Sequence, residues 1–224
     1  MPDILTKNQQ LFLDVFGRND SLRDRFYLTG GTALAGFYLY HRYSEDLDFF
    51  SFEEVDPMTI NVFLKINEKE LGVIKVDYEQ SYNRNLFYLT VGEEEVKTEF
   101  TYYPFSQIEN PELHGGVRVD SLIDIAVNKL FTIYQRSVAR DYIDLYMICR
   151  EKGWTISDLI VKARIKFDWH IDPLQLGSQF YKVQQAIDIP RMIAPIAADA
   201  WRGFFVEEAQ KFKGKILGDA RERA

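Results

Sequence analysis

The sequence predicts an α+β fold, a mixed β-sheet flanked by helices and followed by a helical C-terminal region. Three observations carry this. Short apolar or alternating segments that suit strands are interleaved with helical periodicities up to about residue 103. Two of those segments are joined by Gly92-Glu93-Glu94-Glu95, a hairpin-type connection. After Gly115-Gly116 the texture becomes helical. The expected division is 1–117 for the mixed region and 118–224 for a helical region packed on it. With 224 residues and 46% hydrophobic content, the chain has apolar material for one good core and a small second one.

In chain order, residues 4–17 place Ile4, Leu11, Phe12, Val15 and Phe16 near helical spacing and end in Gly17, a helix with a glycine C-cap. A short strand at 26–28 runs into Thr29-Gly30-Gly31-Thr32, and 32–40, apolar nearly all round, reads as a buried helix. Asp46 to Phe50 alternates acid and apolar residues before turning apolar, the pattern of a strand buried on one side only. Pro57 suits the start of a helix over 58–71, and strands are expected at 73–78, 85–91 and 96–103. Ser121 with Asp124 resembles a capping box that opens helices over 122–149, with a break near Ser137. Several shorter helices are expected beyond 155, ending in a basic stretch of Lys211, Lys213, Lys215, Arg221 and Arg223.

Composition narrows the function. No segment approaches the roughly 20 apolar residues of a membrane span, and the first thirty residues carry Asp3, Asp14, Asp20 and Asp24, unlike a signal peptide, so a cytoplasmic protein is expected. The lone Cys149 lies in an apolar segment and reads as a buried thiol. His41, His114 and His170 show no zinc-type spacing. A net charge of -7 leaves nucleic-acid binding to local patches.

The residues that carry chemistry begin with Asp46 and Asp48. On a strand they share a face, about 7 Å apart, and a divalent cation between them relieves their repulsion. Magnesium fits, with manganese an alternative, because it takes one or two carboxylates together with phosphate oxygens. A solvated edge strand explains the same three letters. The context tips the balance: Gly30 and Gly31 open a helix ahead of the acids, and such a turn lets backbone N–H groups approach a phosphate. Glu99 in Val96-Lys97-Thr98-Glu99-Phe100 completes a three-carboxylate site if its strand neighbours the first, and is otherwise part of a surface face. Lys129, Arg136, Arg140 and Asp144 fall near one helical stripe with Asp141 beside it. The stripe is either a solvated face with Arg140 and Asp144 paired, or a source of cations for a triphosphate.

With those residues in view, the chain resembles the AbiEii/AbiGii toxin family of the DNA polymerase beta-like nucleotidyltransferase superfamily. The likeness rests on GGTALAGFYLYHRYSEDLDFF, VKTEF and DIAVNKLFTIYQRSVARDYIDLY, and extends over roughly residues 26–150. It implies a nucleotidyltransferase fold, with the triphosphate on Gly30 and Gly31 beside Thr32. Asp46, Asp48 and Glu99 would hold the metal, and Arg42 and Ser44 would belong to the R-x-S-x-D-L-D signature. Lys129 would be the nucleotide-contacting lysine and Asp141 the late functional acid. Glu99 departs from the shorter Asp more usual at that place.

The implied activity is magnesium-dependent transfer of a nucleoside monophosphate from an NTP to an acceptor hydroxyl. The protein would be the toxin of a pair whose antitoxin is encoded separately, and tRNA or a protein would be the acceptor. Two alternatives stand beside it. One is a nucleotide-binding regulatory module without turnover; the other is transfer to a small molecule of the aminoglycoside type.

Overall fold

The computed structural model describes residues 4–222, with side chains described as far as Phe212. Lys213, Lys215, Arg221 and Arg223 of the expected basic end therefore lie outside the described side chains. The chain forms two compact units, Met1–Ser121 and Leu122–Ala224.

The first unit opens with α1 (Lys7–Gly17) and α2 (Asp20–Arg23), followed by β1 (Tyr27–Thr29) and α3 (Gly30–Ala33). A π-helical segment, Leu34–Leu39, leads to β2 (Asp46–Ser51). Next come α4 (Pro57–Ile66), α5 (Glu68–Leu71), β3 (Val73–Ser81), β4 (Arg84–Val91), β5 (Glu94–Tyr102), β6 (Glu112–His114) and β7 (Val117–Val119). The seven strands form one mixed sheet in the order β3-β4-β5-β2-β1-β7-β6. β2 runs parallel to β5 and antiparallel to β1, and β1 runs parallel to β7. The architecture is α+β, as the sequence predicts.

Alternation decides which face of the sheet is core. Leu47, Phe49 and Ser51 of β2 are buried while Asp46, Asp48 and Phe50 stay partly exposed. On the core face Phe12 and Phe16 of α1 and Phe63 of α4 gather around Phe49 and Phe100. Ring centroids are 4.4 Å apart for Phe16–Phe49 and 5.0 Å for Phe49–Phe100. Such aromatic pairs add about 0.5–1.5 kcal/mol each beyond their buried area. The helices on this face leave the opposite face of β2 and β5 to the acids.

Several expectations shift. Gly17 does not cap α1 in the left-handed region; it stays inside the helix, and a Cβ there would come within 2.5 Å of the Gly115 carbonyl. Its smallness serves close packing on the β6–β7 turn. That hairpin, with Gly115 and Gly116 at its tip, was not expected, because three-residue strands give too short an alternation to detect. The helix expected over 32–40 begins at Gly30 and widens into a π-helix, where Tyr40 N–H reaches the Ala35 carbonyl at 3.1 Å and Tyr40 turns left-handed (φ 51°). The helix expected over 58–71 breaks at Asn67, whose side-chain amide donates to the Phe63 carbonyl at 2.8 Å.

The second unit is helical: α6 (Leu122–Gln135), α7 (Ala139–Lys152), α8 (Ile156–Phe167), α9 (Pro173–Tyr181), a 3₁₀ turn Lys182–Gln185 and α10 (Ala198–Glu222). Several helices follow residue 155, as expected, and the last of them, α10, is longer than the others. Its core packs Tyr142 and Phe180 on Phe205, with Trp201 buried beside them. Cys149 is buried, and burial, followed by the nearby Glu208 carboxylate, pushes its thiol up to about 12. Among the described residues no helix is long and apolar enough to cross a membrane.

Candidate active site

Register assembles the first cluster. In the parallel β2–β5 pair Asp46 lies opposite Lys97 and Asp48 opposite Glu99. In the antiparallel β1–β2 pair Thr29 lies opposite Asp48, so the chain enters the Gly30-Gly31 turn directly beside the acids. Gly30 has φ +72°, and a Cβ there would sit 2.5 Å from Asp48 Oδ2. A Cβ on Gly31 would run into the Arg42 guanidinium and lie 3.1 Å from Ser44 Oγ. At both glycines a side chain of the site occupies the space of a Cβ, and Gly30 in addition holds a left-handed backbone. The Thr32 hydroxyl donates to the Asp46 carbonyl and ties the start of α3 to the start of β2.

Arg42 is 3% exposed and donates to the Tyr43 carbonyl at 2.9 Å. It supports Gly31 from within the unit. Gln9 of α1 is buried and donates to the Ser44 and Glu45 carbonyls at 3.1 and 2.9 Å, which fixes the approach to β2. Asp120, fully buried after β7, accepts from the Thr29 hydroxyl and the Gln107 side-chain amide, each at 2.8 Å. Neither Gln9 nor Asp120 was legible as part of the site. Gln9 sits in an amphipathic helix, and the Val117-Arg118-Val119-Asp120 alternation was the one available signal for Asp120.

The acids are accompanied by cations. Lys97 Nζ lies 3.1 Å from Asp46 Oδ2. Burial alone would lower the Lys97 pKa, but the hydrogen bond and charge of Asp46 hold it above the ordinary value. Glu99, the expected third metal ligand, lies opposite Asp48 with partners of its own. Its two carboxylate oxygens accept from Arg84 Nε and Nη2 at 2.7 and 2.5 Å, and the Thr101 hydroxyl donates to it at 2.7 Å. Burial pushes its carboxyl up, yet the bonds from Arg84 and Thr101 bring it below the usual carboxylate range. Among the described residues no group of three His, Cys, Asp or Glu side chains is arranged to hold a metal. Asp46 and Asp48 remain as a carboxylate pair on one partly exposed face, a donor set that suits a hard cation completed by phosphate oxygens.

The second cluster belongs to the helical unit. Lys129 Nζ lies 2.8 Å from both Asp141 Oδ1 and Asp144 Oδ2, and Arg136 Nη2 reaches Asp141 Oδ2 at 3.0 Å. Asp144 and Asp141 thus share the Lys129 ammonium inside the helical unit. Burial pushes the Asp141 carboxyl up, but Lys129 and Arg136 outweigh it and hold it below the ordinary value. Nearby, Lys166 and Asp124 form a fully buried ion pair at 2.6 Å.

A profile of the nucleotidyl transferase AbiEii toxin family, of type IV toxin–antitoxin systems, matches residues 14–212. The chain belongs to that family. An uncharacterized protein of Aquifex aeolicus is 33% identical over 144 residues, which span 63% of this chain and 66% of the relative's length. Among solved structures, JHP933 from Helicobacter pylori superposes with a TM-score of 0.59 at 19% identity, covering 97% of each chain. MenT4, a nucleotidyltransferase toxin from Mycobacterium tuberculosis, superposes at 0.56 with 15% identity, covering 92% of this chain and 84% of that one. These likenesses confirm the nucleotidyltransferase fold expected of an AbiEii-family chain.

Proposed function

We propose that this AbiEii-family chain moves a nucleoside monophosphate from an NTP to an acceptor hydroxyl and releases pyrophosphate. Asp46 and Asp48 would hold a magnesium ion, for which manganese could substitute. The observation that carries the reading is the Asp48 carboxylate leaning over Gly30, in the space that a Cβ would fill. A carboxylate pair and a backbone that can approach a phosphate thus share one spot. The ion, when bound, supplies charge neutralisation to the triphosphate.

The chain's own residues do the rest by positioning. The turn at Gly30 and Gly31 offers N–H groups to the β- and γ-phosphates, with Thr32 tying that turn to β2. Arg42 and Ser44 stiffen it from beneath. The acceptor oxygen bonds to the α-phosphorus as the bond from that phosphorus to the β-phosphate oxygen breaks, the hydroxyl proton passing to solvent and pyrophosphate leaving. A tRNA 3′ end or a protein hydroxyl is the acceptor, and an antitoxin encoded separately is the partner in regulation. The half-exposed Arg84 and Lys97 beside the acids make a polycationic aminoglycoside a poorer acceptor.

The test incubates the purified protein with magnesium, each α-labelled NTP in turn, and total tRNA, a protein extract or aminoglycosides, with Asp46→Asn alongside. Label should pass to tRNA or protein and fall by about a thousandfold or more in Asp46→Asn. Measurable NTP binding with no transfer to any acceptor would leave a regulatory module as the better reading.

A further inference from the structure

The strands on one flank of the acids bring a set of charged side chains to the open sheet face. The Gly30-Gly31 turn follows β1, on one flank of β2; β5 and then β4 lie on the other flank and bring Lys97, Glu99 and Arg84. Within that flank Arg84 is fixed in place. Its Nε and Nη2 grip both oxygens of Glu99, and Thr101 holds the same carboxylate from its own strand. The Glu99 side chain is 7% exposed and that of Arg84 is 48% exposed, so a buried acid holds a guanidinium that opens outward. Two of its five N–H donors face Glu99, which leaves a planar, always-charged group for another anion.

We infer that Arg84 binds a phosphate of the acceptor, and that Glu99 positions Arg84 rather than serving as a metal ligand. The inference rests on the proposed seating of the leaving pyrophosphate at Gly30 and Gly31. In-line displacement brings the attacking oxygen in opposite the leaving group. With the glycine turn on the β1 flank, the acceptor enters from the β5–β4 flank, where Arg84 and Lys97 stand. On the next strand out, Asp77 and Glu79 occupy the same face by register, opposite Tyr88 and Leu86, and Asp77 is bridged by Lys75 at 2.6 Å. With Lys75 on that strand engaged by Asp77, Arg84 and Lys97 are the cations of this flank that stand nearest the acids. A chain of net charge -7 exerts no long-range attraction on a polyanion, so a phosphate-bearing acceptor needs a local fork of this kind.

The probe is a short RNA oligonucleotide with a free 3′ hydroxyl, and the same oligonucleotide with a neutral methylphosphonate at its last linkage. Binding is read by fluorescence anisotropy without nucleotide or metal. Acceptor KM, donor KM and the magnesium concentration for half-maximal rate are read in the transfer assay. Arg84→Ala and Glu99→Gln should each weaken oligonucleotide binding about tenfold, the loss of one charge-assisted bidentate contact. The double variant should lose no more than either single one, and the neutral linkage should cost Arg84→Ala nothing further. Donor KM and magnesium dependence should hold, and Arg84→Lys should recover only part of the binding because it lacks the fork.

A magnesium requirement raised by Glu99→Gln but not by Arg84→Ala would make Glu99 a metal ligand and overturn the inference. So would additive losses, or a neutral linkage as costly in Arg84→Ala as in the wild type. If thermal melting shows Glu99→Gln unfolded, the Arg84 variants against the two oligonucleotides decide alone. A wild type that binds the oligonucleotide through Arg84 yet transfers nothing would uphold this inference and sink the transferase reading. Transfer to protein, with oligonucleotide binding unchanged in Arg84→Ala, would do the reverse.

Discussion

The two units use the same ion-pair chemistry in opposite ways. On the sheet, Lys97 and Asp46 keep 27% and 31% of their side chains exposed, while Arg84, 48% exposed, is anchored by Glu99 at 7%. In the helices, Lys129 sits between Asp141 and Asp144 with side-chain exposures of 10%, 1% and 0%. A partly exposed pair such as Lys97–Asp46 contributes about 0–1 kcal/mol, so a ligand can take over one of its members cheaply. A buried pair rests on mutual attraction that offsets a desolvation penalty of several kcal/mol per ion, so neither member can leave. The difference teaches that a charged residue's availability is set by its surroundings.

The sharpest way to break this contrast is to remove the buried cation. Lys129→Met leaves Asp141 and Asp144 without their shared ammonium and should destabilise the protein by about 3–5 kcal/mol, read from the urea midpoint. Lys97→Met should change stability by less than about 1 kcal/mol. If Lys129→Met instead melts like the wild type but no longer binds NTP, Lys129 is the nucleotide contact that the resemblance implies, and the contrast between the units fails.

A smaller effect sharpens the sheet side. Gly30 and Gly92 both have positive φ, +72° and +63°, but a Cβ on Gly30 meets Asp48 while one on Gly92 meets nothing within 4 Å. Alanine at either position should cost roughly 1–2 kcal/mol of backbone strain. Only Gly30→Ala should also abolish label transfer, because only there does the new methyl group push a carboxylate aside. Equal transfer in both variants would remove Asp48 from the site.

What was legible follows the range of the interactions. Asp46, Asp48, Gly30 and Gly31 stood out because alternation and turn chemistry are local, and the β2–β1 register then brought them together. Arg84 gave no signal, since a residue in Tyr82-Asn83-Arg84-Asn85 looks like a hairpin end until the strand order places it two strands from Asp48. Glu99 was found for its charge but not for its partner, because pairing across β4 and β5 is invisible from either segment alone. The Lys129 triad was read as a stripe on one helix surface; its acids come from the next helix, so neither burial nor pairing could be seen from spacing. Gly17 looked like a cap because a glycine ending an apolar period usually is one, and its contact is with a hairpin about a hundred residues away.

The finest test of the comparison is the acid limb of stability. Lys129 and Arg136 hold the folded Asp141 carboxyl below the ordinary value, despite burial. The unfolded chain therefore takes up a proton at Asp141 before the folded chain does. Stability from this group is complete above about pH 4, the ordinary aspartate range, and is lost as the pH falls through the lower folded value. Asp141→Asn leaves Asp144 to partner Lys129 and should flatten the fall in urea-derived stability between about pH 4 and pH 2 relative to the wild type. An unchanged slope would mean that Asp141 titrates alike in both states. The triad would then be coupled to solvent much as the sheet pairs are, and the distinction between a sealed and an open charge cluster would rest on exposure without an energetic counterpart.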